Sequence, residues 1–237
     1  VNVSNVTITG ADNCGGLGNQ FLGTIRYCTT SATIDDGDSI GGLIGSVLSG
    51  GTPTIEYCTF TGIIGSTTDP TNSRGGLVGT ISNDGAIVRK CYSAPSSATA
   101  SAGFGGIIGK ISGIDSVTTP SNLEINELAF VGPLSSNPAD EYGGGIIGVV
   151  DGSSSITVNN AYVDVTSVSL NNGGVIGSVY SSTINFTELY SEYAGPDGND
   201  YGRIVGNATS GSTLNYSYGI YYNAAPIGHE DASATEN

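Results

Sequence analysis

The pentapeptide Gly-Gly-Φ-Φ-Gly, with Φ aliphatic, recurs along the chain. It stands at Gly41–Gly45, Gly75–Gly79, Gly105–Gly109, Gly144–Gly148 and Gly173–Gly177, with a worn copy at Gly202-Arg203-Ile204-Val205-Gly206 and a shortened one at Gly15-Gly16-Leu17-Gly18. From one second position to the next the intervals are 26, 34, 30, 39, 29 and 29 residues. A repeat of this length means a solenoid, a propeller or an array, so it constrains the fold before any local propensity does.

A companion motif, Φ-x-x-Cys/small-x-Φ, travels with the glycines. Its copies include Ile25–Cys28, Ile55–Phe60, Val88–Tyr92, Ile125–Phe130, Val158–Val163, Phe186–Tyr190 and Leu214–Tyr218. The apolar spacing is close to two and Gly is dense, which argues against helix. The variable stretches, 66–74, 94–102 and 134–141, are rich in turn formers. These features predict an all-β parallel β-helix, or β-solenoid. It has about seven coils of roughly 30 residues, each with two to three short strands stacked about 4.8 Å apart. A propeller blade needs about 40 residues and four antiparallel strands. Residues 1–223 form one solenoid domain, with 1–14 a partial first coil and 224–237 a tail.

The recurring glycines Gly42, Gly45, Gly76, Gly79, Gly106, Gly109, Gly145, Gly148, Gly174, Gly177 and Gly206 have two expected uses. They permit positive φ at coil corners, and they let one coil lie close on the next. Leu43, Leu77, Ile107, Ile146, Val175 and Ile204 are expected in one interior column, and Val47, Ile81, Ile111, Val150 and Val179 in another. The second Φ residues, Ile44, Val78, Ile108, Ile147, Ile176 and Val205, would form an exposed stripe on a flat strand. A glycine corner or bulge that turns both inward is the favoured reading.

At this point the residues resemble a family. Gly75–Gly79 with Val88–Tyr92, and Gly173–Gly177 with its neighbours, are similar to the GLUG repeat of large secreted and surface proteins. The resemblance runs over about residues 3 to 219. It implies a β-solenoid on an extracellular or adhesin-like protein, and it carries over no catalytic residue.

The chain of 237 residues holds six basic and 21 acidic residues, a formal net charge of -15. Phosphate binding depends on Lys and Arg, so nucleic acid is a disfavoured partner, as is an anionic membrane. No apolar run reaches the roughly 20 residues of a membrane span. Val1 begins the chain with no basic or apolar leader, which fits a mature secreted protein.

Val3–Gly10 aligns with Ile55–Gly62, so the first and last coils are expected to be open in mid-coil. Three readings stand: a fragment of a longer solenoid, ends capped by loops, or ends that dock head to tail into a filament.

Cys28, Cys58 and Cys91 share one repeat position, with Cys14 nearby. At least one disulfide near the N-terminal end is expected of a secreted chain; a ladder of buried free thiols is the alternative. No Cys-x-x-Cys occurs and His229 is alone, so no metal or cofactor site is expected. Asn-x-Ser/Thr acceptors occur at Asn2, Asn5, Asn185, Asn207 and Asn215, of which Asn207 in an expected turn is the leading candidate. Chance alone gives about four such sites. Asp35–Asp38 and Asp197–Asp200 resemble pieces of calcium loops but lack the full spacing, and read as solvated turns.

The expected function is an extracellular structural or adhesive solenoid, self-associating by head-to-tail stacking. Its alternative is a module of a larger adhesin that binds glycans, through an outer strip of Tyr57, Tyr92, Tyr162, Tyr190 and Tyr218. A carbohydrate-active enzyme would need clustered carboxylates with basic partners. Only two Lys and one His are present, so no enzyme is expected.

Overall fold

The computed structural model describes residues 1–8, 12–35, 37–48, 50–65, 73–82, 85–100, 103–113, 123–136, 143–152, 154–168, 172–193, 201–202, 204–217, 221–222, 227–230 and 235–236. Their strands run parallel and stack as a β-solenoid of about six turns, with no helix among them. The shortened first glycine copy contributes only the strand Gly18–Gln20 and an isolated bridge from Gly15 to Gly41, so seven motif copies give about six turns.

Three sheets wrap the core. A 16-stranded sheet carries the longest strands, Glu124–Ser136, Ser155–Val168 and Thr183–Tyr193. A six-stranded sheet carries the first glycine of each repeat, from Ile40–Gly41 to Tyr201–Gly202. An eight-stranded sheet runs from Gly18–Gln20 through Ile44–Val47 to Ile227–Glu230. Neighbouring strands come from successive turns, so pairing follows the repeat: Ile44↔Val78↔Ile108↔Ile147↔Ile176↔Val205. Ile227–Glu230 pairs with Val205–Ala208, and Thr235–Glu236 with Thr213–Tyr216, so strand pairing extends into the segment expected as a tail.

Both aliphatic columns form as expected and are buried. The second Φ residues are buried as well, and the hydrogen bonds show how. Leu77 N and Val78 N both donate to Ile107 O at 3.0 Å, and Ile146 N and Ile147 N both donate to Val175 O at 3.0 Å. Two successive amides sharing one carbonyl of the next turn make a bulge, which puts both side chains on the core side. The exposed aliphatic stripe is therefore absent.

The motif glycines serve close approach alone. None of those described has positive φ; the glycines that do are Gly37, Gly50, Gly51, Gly113, Gly152 and Gly211. A Cβ on Gly42 would lie 2.2 Å from Gly76 O and 3.0 Å from the Phe60 ring. The glycine pair therefore lets consecutive turns touch backbone to backbone, and it makes room for the phenyl rings of the core. In the facing column, Phe60 and Phe130 alternate with Thr30 and Ser93, so each ring spreads over a small neighbour.

Positive φ appears instead at a second corner, and on residues other than glycine. Tyr27, Tyr57, Lys90, Glu127, Asn160 and Glu188 all have φ of 50° to 53° and occupy one stacked position. The companion motif explains it. Interior residues such as Ile55 and Cys58 are three apart, whereas a flat strand alternates by two. One left-handed residue between them restores the inward direction.

Candidate functional site

The N-terminal face of the stack is where the repeat is incomplete. Asn2–Val3, Thr7–Ile8, Gly18–Gln20 and Thr24–Arg26 each pair with a single neighbouring strand, leaving their outer edges unpaired among the described residues. Leu17 heads the column that continues as Leu43, and its amide donates to Leu43 O at 2.9 Å. Leu43 is wholly buried, yet Leu17 is 43% exposed, because no strand among the described residues pairs with its outer side. Leu22 at 60% and Tyr27 at 69% belong to the same turn. Beside them Leu17, Gly18, Gln20, Phe21, Ile25 and Ile44 line a cavity of about 120 Å³. At the opposite end Tyr201–Gly202, Tyr221–Tyr222, Ile227–Glu230 and Thr235–Glu236 also have one partner strand each among the described residues.

The expected tyrosine strip divides into two columns. Tyr57 belongs to the left-handed column and stacks on Tyr27, with ring centroids 4.9 Å apart. Lys90 follows it, with Nζ donating to the Tyr57 hydroxyl at 3.3 Å and lying 3.8 Å from Glu127. These contacts push the Lys90 pKa up. Tyr92, Ala129, Tyr162 and Tyr190 form the second column. Tyr162 and Tyr190 stack at 5.1 Å with planes 5° apart. Partial burial, with Asp164 and Glu192 nearby, raises the Tyr162 pKa. Tyr218 lies outside the described residues.

A charge ladder crosses the left-handed corner. Glu56 sits between Arg26 and Arg89, whose Nε donates to it at 2.8 Å, and Arg89 reaches on to Glu124 at 3.5 Å. The Arg89 hydrogen bond, helped by Arg26, holds the Glu56 carboxyl below the usual range.

Cys28, Cys58 and Cys91 stack in one interior column, continued by Leu128, Ala161 and Leu189. All four cysteines are free, so the expected disulfide is not present. In-register parallel strands keep their Cα–Cβ bonds parallel, so the Cβ atoms stay near the strand spacing of about 4.8 Å. A disulfide draws them to about 3.8 Å. Each thiol instead donates to the carbonyl two residues back: Cys28 to Arg26 at 3.4 Å, Cys58 to Glu56 at 3.3 Å and Cys91 to Arg89 at 3.2 Å.

Of the glycan acceptors, Asn2 and Asn5 are exposed, and Asn185 and Asn215 are half-buried, joined by a 2.8 Å hydrogen bond from Asn215 Nδ2 to Asn185 Oδ1. Asn207 is not in a turn: it lies in the strand Val205–Ala208 and is 8% exposed. Its worn repeat aligns it with Ser178, a strand residue. Asp38 is exposed and accepts from Ser39 Oγ at 3.3 Å, while Asp197–Asp200 lies outside the described residues. Among the described residues no three His, Cys, Asp or Glu side chains converge as a metal cage.

No protein-family model, curated protein or solved structure matches this chain.

Proposed function

We propose that the protein is an extracellular structural β-solenoid that lengthens by head-to-tail stacking of copies. The apolar N-terminal face carries this reading. Leu17, Phe21 and Ile25 line a cavity beside strand edges that are unpaired among the described residues, with Leu22 exposed nearby, and the group that would fill both is one more turn of the same repeat. Such a contact joins unlike faces, so it does not close and builds an open fibre. The GLUG-like order of glycine pair and companion strand supports an extracellular setting.

Sedimentation velocity at rising concentration tests the proposal. Growing species are expected for the parent chain, with rods lengthening in negative-stain images. Leu17→Asp is expected to leave the fold intact, since the side chain is half in solvent, and to stop growth by placing a charge in the junction. A parent chain that sediments as a single monomer at every concentration would sink the reading.

A second reading, a glycan-binding module of a larger adhesin, is supported by the stack of the exposed Tyr162 on the half-buried Tyr190. It requires that Tyr162→Ala abolish retention on a glycan array without changing sedimentation.

A further inference from the structure

The cysteine column has a geometry that tetrahedral metal chemistry does not use but linear chemistry does. The three thiols repeat the same backbone contact from turn to turn. Cys58 Sγ lies 3.9 Å from Ile25 O, and Cys91 Sγ lies 3.7 Å from Ile55 O, the equivalent carbonyl one turn on. Each also faces the carbonyl two residues back in its own turn. Atoms that keep the same partners from turn to turn are displaced by one strand spacing, so neighbouring sulfurs lie about 4.8 Å apart. That is too far for a sulfur–sulfur bond. It matches two collinear metal–thiolate bonds, which at about 2.3 Å each span about 4.6 Å.

We propose that the Cys28–Cys58–Cys91 column is a binding site for soft monovalent d10 cations, Cu(I) or its analogue Ag(I), each held linearly between thiolates of adjacent turns. Soft thiolate ligands select such ions. Zn²⁺ is a poor fit, because it wants four ligands around one centre and none of the described carboxylates or imidazoles joins the sulfurs. Binding is a proton exchange with no change of oxidation state: the first cation replaces the protons of two thiols, the second replaces the proton of the third and shares the Cys58 sulfur, and all three protons go to solvent. Three sulfurs enclose two gaps, and Cys58 borders both.

The count of ions in each variant tests the site. The full chain is refolded under argon with excess Ag(I), or with Cu(I) held by a competing chelator, and bound ions are counted by native mass spectrometry. Two ions are expected for the parent chain and for Cys14→Ala. One is expected for Cys28→Ala and for Cys91→Ala, and none for Cys58→Ala. Alanine already occupies this column at Ala161, so circular dichroism is expected to show each variant folded. A thiolate-to-metal absorption band in the ultraviolet should fall in the same two, one, none order. Equal losses from every cysteine variant, Cys14 included, would mean adventitious thiol binding and overturn the proposal. So would a parent chain that leaves the competing chelator fully loaded. If Cys58→Ala does not fold, the single-ion loss in Cys28→Ala and Cys91→Ala against none in Cys14→Ala decides the matter alone.

Discussion

At the scale of single residues, the fold depends on side chains that are missing. A Cβ at Gly76 would stand 2.1 Å from Gly106 O and 2.8 Å from the Phe60 ring. Trimming Phe60 would relieve only one of those clashes, so the backbone itself would have to part. Gly76→Ala is expected to lower stability by about 3 kcal/mol in urea denaturation. Gly18→Ala, whose Cβ would meet nothing within 4 Å, is expected to be nearly neutral. The recurrence of these glycines was legible in the sequence, and so was close approach as one of their two uses. The other use, positive φ, was not borne out, because dense glycine does not say whether the chain needs a turn or a tight contact. Asn207 was misplaced for a related reason. Arg203 wears down its repeat and hides the register, although Gly206 still marks the strand position two turns after Gly148.

At the scale of an element, the left-handed corner decides the shape of each turn. Its signal was in the sequence: interior positions such as Val88 and Cys91 stand three apart, a spacing that no flat strand accommodates. The residue types masked it, since Tyr, Lys and Glu rarely adopt positive φ. The aliphatic columns were read correctly because burial alone sets them. The tyrosine grouping held for Tyr92, Tyr162 and Tyr190 but not for Tyr57, which stands one corner away from Tyr92. Glu188 adopts φ of 50° in a column where Asn160 does the same at less strain. Glu188→Asn is thus expected to raise stability by about 0.5 to 1 kcal/mol, read by thermal and urea melts. The charge ladder on this corner gives the fold a pH dependence. The folded pKa of Glu56 lies below its unfolded value of about 4.3. Its stabilising contribution is therefore complete above that pH and is lost as pH falls through the folded value. Melting temperature measured from pH 6 down to pH 2 is expected to fall less steeply for Glu56→Gln than for the parent chain.

At the scale of the whole molecule, every turn touches only the turns before and after it, and stability becomes a sum over neighbours. The coil length and parallel architecture followed from the repeat interval alone. The exposed Leu17 face did not, because a repeat pattern describes the average turn and an end is the exception. Nearest-neighbour stacking also governs how the molecule bears load. Tension applied between the chain termini acts on the outermost turn first, whose strands are held from one side only, and it detaches before the interior feels the force. In an optical trap, extension is expected to proceed in a staircase, each step freeing one turn of roughly 30 residues, or about 100 Å of chain. A single cooperative rip would show instead that the turns fail together. A stack that yields stepwise dissipates work while most of its length stays folded, so it is a shock absorber as well as a strut.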